Sequence, residues 1–224
     1  MTRAIIQGEE GSNSSVAARQ LLGTEVELVC CTSFAEAFAA LDRGDAPLAV
    51  LPFENSTAGR VPDVAAQLVA GPLFVTAETS VSIRFVAAAR VGAERIERIL
   101  THPMAAAQCR RFLESTGWQV VDAHDTAGAA RLVSESANLT TAALCPLAAA
   151  TRYGLQVVNP HCGDDPKAVT RFFRVQLTPP SAAPEHRHSI FVMPEGRLVE
   201  LAFGATDPRC AEFLGSSARL IGSY

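Results

Sequence analysis

Five short polar clusters in this chain combine residue types that can hold a small anionic molecule, and each follows or opens an apolar run. Gly8-Glu9-Glu10-Gly11-Ser12-Asn13-Ser14 places two glycines and several short donors ahead of a helical pattern. Such a turn can offer N–H groups to a carboxylate, or it can simply cap the helix. Pro52-Phe53-Glu54-Asn55-Ser56-Thr57-Ala58-Gly59-Arg60 carries more polar functionality than a cap requires, and Gly59 would let the backbone approach a ligand closely. Thr101-His102-Pro103, with Gln108 and Cys109 behind it, offers an imidazole that serves either as an acid or base or as a hydrogen-bonded structural group. Asp125-Thr126-Ala127-Gly128-Ala129-Ala130 reads mainly as a capped helix start packed closely on a sheet. Thr170-Arg171-Phe172-Phe173 opens a late strand. There Arg171 could grip a carboxylate with two parallel bonds or stand on an edge strand facing solvent. Strand alternation sends Thr170 and Phe172 to one side and Arg171 to the other, unless the strand begins after that pair.

The elements that must position these clusters alternate between short β-branched runs and longer Ala/Arg/Glu stretches at helical spacing, the pattern of βαβ units on a mainly parallel sheet. Strands are expected at Ala4–Gln7, Val26–Cys31 and Leu48–Leu51, sharing one sheet, with helices at Ser12–Leu22 and Ser33–Arg43. Ser33 is the expected cap of the latter, with Glu36 three residues on, and Pro62 opens a further helix. A second set has strands at Val81–Ala89, Ile96–Leu100, Val120–Ala123 and Ala142–Leu144. Its helices are Met104–Thr116, Thr126–Ser136 and Pro146–Tyr153, the last stopped by Gly154. Phe172–Leu177 returns as a late strand. Two α/β lobes with a late return predict a ligand cleft between them, at the carboxyl ends of the strands. Thr178–Pro184 is a linker, followed by strand-like runs at Ser189–Met193 and Leu198–Phe203 and a possible helix at Pro208–Leu214.

The chain has 224 residues, 48% of them hydrophobic and 19% charged, so one or two globular units are expected and a disordered or coiled-coil chain is excluded. Its net charge is −4. Eighteen arginines and the single Lys167 form no basic stripe, which argues against nucleic acid as a partner. Six cysteines lie scattered in apolar segments without the spacing of a zinc site or disulfide framework, so no metal is expected. Neither a signal-peptide core nor a run of about 18 apolar residues is present, so no membrane partner is expected and the cytoplasm is the expected compartment.

In order, these clusters resemble the successive signatures of prephenate dehydratases over residues 4–176, most specifically in Glu54-Asn55-Ser56 and Thr170-Arg171-Phe172. The resemblance implies two α/β lobes like a type II periplasmic binding protein, with a prephenate dehydratase domain over residues 1–177. Lobe 1 would take about 1–76 and 160–177, and lobe 2 about 77–159. A linker at 178–186 would lead to a truncated ACT-like tail at 187–224, in which Arg187–Pro194 is similar to the first ACT strand and Ala218–Tyr224 to the last. It further implies loss of carbon dioxide and water from prephenate to give phenylpyruvate in phenylalanine biosynthesis, without a cofactor, in a homodimer or homotetramer. Thr170, Arg171 and Glu54 take the catalytic roles, with Thr170 a positioned donor to the departing oxygen. Ser12, Asn55, Ser56, Thr101, His102, Gln108, Thr126 and Phe172 are implied to bind substrate. Two departures stand out: Ala168 occupies the position where the family commonly has Asn, and the tail is too short for a whole ACT domain, which implies weakened inhibition by phenylalanine. Arogenate dehydration, a non-aromatising decarboxylation and a non-catalytic carboxylate sensor are the alternatives.

Overall fold

The computed structural model describes residues 2–179, 188–202, 204, 207, 210 and 218–224. The chain divides into two compact units, residues 1–7, 17–80 and 170–224 forming the first and residues 8–16 and 81–169 the second.

The first unit is built on a nine-stranded mixed sheet. Its strands are β1 (Arg3–Gln7), β2 (Glu27–Cys31), β3 (Ala49–Asn55), β4 (Gly59–Arg60), β5 (Phe74–Ser82), β11 (Val169–Gln176), β12 (Ser189–Val192), β13 (Leu198–Leu201) and β14 (Arg219–Ser223). They lie in the order β13-β12-β14-β5-β11-β3-β1-β2, with β4 paired to β3. The three strands share one sheet as expected, and β1 sits between β2 and β3, parallel to both. The sheet is mixed rather than mainly parallel, because β11 returns antiparallel to β3 and β12 runs antiparallel to β13 and β14. Tail strand β14 joins β5 in parallel at Gly222 and Val75. Helix α2 (Phe34–Arg43) begins where expected: the Ser33 hydroxyl accepts the Glu36 N–H, and Gly44 closes the helix at φ 76°, a left-handed conformation suited to glycine. Its buried stripe of Ala37, Ala40 and Leu41 meets Ile5, Leu51, Phe53 and Phe173 in one core. Helix α3 (Pro62–Ala70) starts at a proline whose missing N–H costs nothing in the first turn.

The second unit has a five-stranded sheet of β6 (Phe85–Ala89), β7 (Arg98–Thr101), β8 (Gln119–Asp122), β9 (Thr141–Pro146) and β10 (Gln156–Asn159), in the order β10-β6-β9-β7-β8. Every residue of β6 and β9 is buried, which fits their near-continuous apolar runs. Helices α4 (Pro103–Ala107), α5 (Arg110–Thr116), α6 (Thr126–Glu135) and α7 (Leu147–Arg152) complete it, and α1 (Asn13–Leu22) begins in this unit and ends in the first. Cys109, Cys145 and Cys162 are buried here, and desolvation pushes their thiols up to about 12, 12 and 11, so they pack as small apolar groups.

The expected strand at Val81–Ala89 is two strands in two sheets, β5 ending at Ser82 and β6 starting at Phe85. The expected helix at Met104–Thr116 breaks at Gln108–Cys109, where the Asp164 carboxylate accepts the N–H groups of Arg110 and Arg111 and so opens α5 from a distant loop. Strand β11 starts at Val169, three residues before the expected Phe172, and therefore includes Thr170 and Arg171. Strand β10 and the first part of β5 are further additions. Pro180–Pro184 of the expected linker lies outside the described residues, as does the expected helix at Pro208–Leu214 apart from Cys210.

Candidate active site

In the first unit the cross-strand register of β3 and β11 pairs Asn55 with Thr170 and Glu54 with Arg171, joining residues 115 and 117 positions apart. The β3–β4 hairpin fixes one side of this pairing. At its turn the Asn55 carbonyl oxygen Oδ1 accepts the backbone N–H groups of Thr57 and Ala58, both at 2.9 Å. Those two bonds settle which end of the amide is which, because only the oxygen can accept them. The Asn55 NH₂ group therefore faces β11 and donates to Thr170 Oγ1 at 2.8 Å. With one lone pair of that hydroxyl engaged as an acceptor, its own proton is directed elsewhere. Among the described residues it bonds to no other group. Thr170 is only 6% exposed, so its position is held by packing as well as by Asn55. Gly59 adopts φ 80° with open space around it, which assigns it to the hairpin turn. Ser56 is exposed on that turn.

Arg171 sits on the opposite side of β11 from Thr170. Its guanidinium donates to Glu54 Oε2 at 3.2 Å, Glu78 Oε2 at 2.6 Å and Glu200 Oε2 at 2.8 Å. It also lies over the rings of Phe53 and Phe173, which stack at 4.3 Å. Burial works against its charge, but the bonds to Glu78 and Glu200 outweigh that and raise its pKa, keeping it cationic. The carboxylates that Arg171 meets thus belong to this chain. Tyr224 donates to Glu78 Oε2 at 3.1 Å, and burial, reinforced by the charge of Glu78, pushes its phenol above the ordinary range. Glu78, Glu200 and Tyr224 escape the sequence reading. The signal for Glu200 was a single carboxylate inside the apolar run Leu198–Leu201, a pattern that calls for a cationic partner, whereas the mixed run Phe74–Ser82 gave no comparable signal for Glu78. Phe172 is 2% exposed and lies in the interior.

The remaining expected residues lie in the second unit. Ser12 precedes α1 and its hydroxyl accepts the Ser15 N–H, an ordinary cap. Thr101 is fully buried and its hydroxyl donates to the Leu144 carbonyl, so it ties β7 to β9 instead of presenting a donor at a surface. His102 Nδ1 accepts the Met104 N–H and caps α4. Gln108 marks the break between α4 and α5, with its carbonyl accepting the Asp164 N–H. Thr126 is the first residue of α6, behind Asp125, whose carboxylate caps Ala127 and Gly128. Ala168 packs in the core of this unit, and its carbonyl accepts the Ile83 N–H.

The turn between β1 and α1 is anchored here by groups that sequence reasoning did not join. Glu9 takes a bidentate pair from Arg131, at 2.8 and 3.0 Å, and a bond from the Tyr153 hydroxyl at 3.2 Å. Gly11 has φ 89°, and a Cβ there would lie 2.6 Å from Ala149 Cα, so only glycine fits against α7. The Arg131 hydrogen bonds hold the Glu9 carboxyl below its ordinary pKa despite partial burial. A depressed carboxylate contributes stability that is present above its unfolded-state pKa and lost as pH falls through the folded-state value. Replacing Arg131 with Gln should therefore lower the urea midpoint most at neutral pH. The gap to the unsubstituted protein should close on acidification, whereas a gap independent of pH would assign the effect to packing alone.

A family model, prephenate dehydratase, matches residues 4–179. The bifunctional N-acyl-homoserine lactone acylase/prephenate dehydratase of Komagataeibacter europaeus is 36% identical over 180 residues, which cover 80% of this chain and 64% of that protein. Arogenate dehydratase 2 of Petunia hybrida is 34% identical over 199 residues, covering 87% of this chain and 50% of that one. The chain thus spans between half and just under two thirds of the length of these curated relatives. Among solved structures, the prephenate dehydratase of Arthrobacter aurescens in complex with L-Phe superposes with a TM-score of 0.86 at 27% identity. That match covers 100% of this chain and 89% of that one.

Proposed function

This chain belongs to the prephenate dehydratase family, and from that premise we propose that it converts prephenate to phenylpyruvate, carbon dioxide and water. Aromatisation drives the reaction. The electron pair of the breaking carbon–carboxylate bond moves into the ring and expels the ring hydroxyl, which leaves as water once protonated. The protein's part is to hold the dianion and lower the cost of that departure. The Asn55–Thr170 bond carries the assignment, because an amide fixed as donor toward Oγ1 leaves the Thr170 hydroxyl to donate in turn to the leaving oxygen. A threonine hydroxyl is far too weak an acid to ionise near neutral pH, so it acts as a positioned donor whose proton is replaced from solvent. Arg171, already met by Glu54, Glu78 and Glu200, positions Thr170 and does not grip a substrate carboxylate. Glu54 belongs to that support, and Ser56 is a further candidate for substrate contact.

Arogenate is the second reading, favoured by relatives such as the Petunia protein. Purified protein incubated separately with prephenate and with arogenate distinguishes them: phenylpyruvate from the first supports the main reading, and phenylalanine formed only from the second supports the alternative. Binding of prephenate without turnover would support a sensor. We also propose that the short stretch of chain between β13 and β14 leaves little inhibition by phenylalanine. A titration should find activity nearly constant, and strong saturable inhibition would contradict it.

A further inference from the structure

We infer that Glu200 and Tyr224, both from the C-terminal segment, are positioning residues for Thr170, acting through Arg171. This rests on Thr170 being the reacting donor proposed above. The three C-terminal strands β12, β13 and β14 extend the same sheet that carries β3 and β11. From β13, Glu200 bonds to Arg171 at 2.8 Å with one oxygen and to Arg60 of the hairpin at 3.4 Å with the other. Tyr224, next to the end of β14, bonds to Glu78 Oε2, the same oxygen that receives Arg171 at 2.6 Å. It also lies near the Phe173 ring, with ring centres 6.5 Å apart. The guanidinium is thereby held from three strands at once, β3 through Glu54, β5 through Glu78 and β13 through Glu200.

This clamp has a geometric reason to matter. The β3–β11 register shifts between Arg171 and Phe172, so the two pairs before the shift, Thr170 with Asn55 and Arg171 with Glu54, are not continuous with the regular ladder that follows. Thr170 Oγ1 must nonetheless meet Asn55 with hydrogen-bond accuracy. Arg171, bonded to Glu54 on the neighbouring strand, holds the backbone on the Thr170 side of that irregularity. Arg60, on the hairpin whose turn orients Asn55, is bonded to the same Glu200. The two sides of the Asn55–Thr170 contact are thus referred to one carboxylate from the tail. Charge-assisted bonds of this kind are directional, and small displacements of a reacting group are costly.

The test uses the full chain with Glu200→Gln, Tyr224→Phe and, as a control in the same segment, Arg197→Gln, which removes only an exposed pair with Glu195. Glu200→Gln should lower kcat on prephenate by about tenfold with KM little changed, Tyr224→Phe should lower it less, and Glu200→Asp should recover part of the loss. Hydrogen exchange at residues 169–172 should accelerate in Glu200→Gln and Tyr224→Phe but not in the control. Unchanged exchange at 169–172 in both variants would overturn the inference, as would a kcat equal to the unsubstituted value. A higher kcat or a lower KM would also overturn it, since it would mean that the glutamates restrain Arg171 from substrate. Should the unsubstituted protein turn over neither prephenate nor arogenate, the functional reading fails separately and the exchange measurement alone decides the inference. Tyr224→Phe alters no formal charge, so it keeps the test open should Glu200→Gln fold poorly.

Discussion

Thr170→Val is expected to reduce kcat on prephenate by about 10²–10⁴-fold, the range for loss of a positioned proton donor, while KM changes little. Valine matches threonine closely in shape at a site only 6% exposed, so the strand should retain its register. The substitution still leaves the Asn55 NH₂ without its acceptor, which should cost about 1–3 kcal/mol of stability. Thr170→Ser restores the hydroxyl and should recover most of the activity. Asn55→Asp provides the inverse control. Its carboxylate can still accept from Thr57 and Ala58, but it cannot donate to Oγ1, and it would instead take the Thr170 proton. Activity should then fall about as far as in Thr170→Val, although the hydroxyl is present. An active Asn55→Asp variant would show that the direction of the Asn55–Thr170 bond is immaterial.

The largest loss of stability is expected from Phe173→Ala. Phe173 is fully buried, stacks on Phe53 at 4.3 Å and carries the Arg171 guanidinium 5.4 Å from its ring centre. Deleting the ring removes its burial and leaves a cavity that a sheet core cannot collapse to fill, at a cost of about 3–5 kcal/mol. For a chain of this size that corresponds to a fall in melting temperature of roughly 6–20 °C. Phe173→Leu keeps most of the volume and should cost far less. Thermal unfolding of the two variants side by side measures the difference. Equal, small shifts would mean that Phe173 is not the keystone of the first unit's core.

Much of the first unit was legible in the sequence because its signals are local. The short continuous apolar runs of β1 and β3 and the helical spacing of α2 are clear, Ser33 caps α2 as expected, and Gly44 ends it. The signals that failed depend on tertiary contacts. An apolar run from Val81 to Ala89 gives no sign that the chain leaves one sheet at Ser82 and enters another at Phe85. The break at Gln108–Cys109 is stabilised by Asp164, more than fifty residues away, which no local cap pattern can reveal. At the candidate site, family resemblance implied that Glu54, Asn55, Thr170 and Arg171 serve one site, whereas their pairing required the β3–β11 register and the direction of the Asn55 bond required the turn at Thr57 and Ala58. Thr101 shows what a motif cannot reveal, since its hydroxyl proton is committed inside the sheet to the Leu144 carbonyl. Arg171 is a second case, because strand alternation correctly set it opposite Thr170 but could not show that three carboxylates were waiting there.

The most direct measurement is a crystal structure of the unsubstituted protein bound to an unreactive prephenate analogue with a saturated ring that keeps both carboxylates and the ring hydroxyl. Thr170 Oγ1 is expected to lie about 2.7–3.0 Å from the hydroxyl oxygen of the analogue, with Asn55 still donating to Oγ1 from its other side. An analogue whose hydroxyl is met by a different side chain, with Thr170 out of reach, would contradict that expectation.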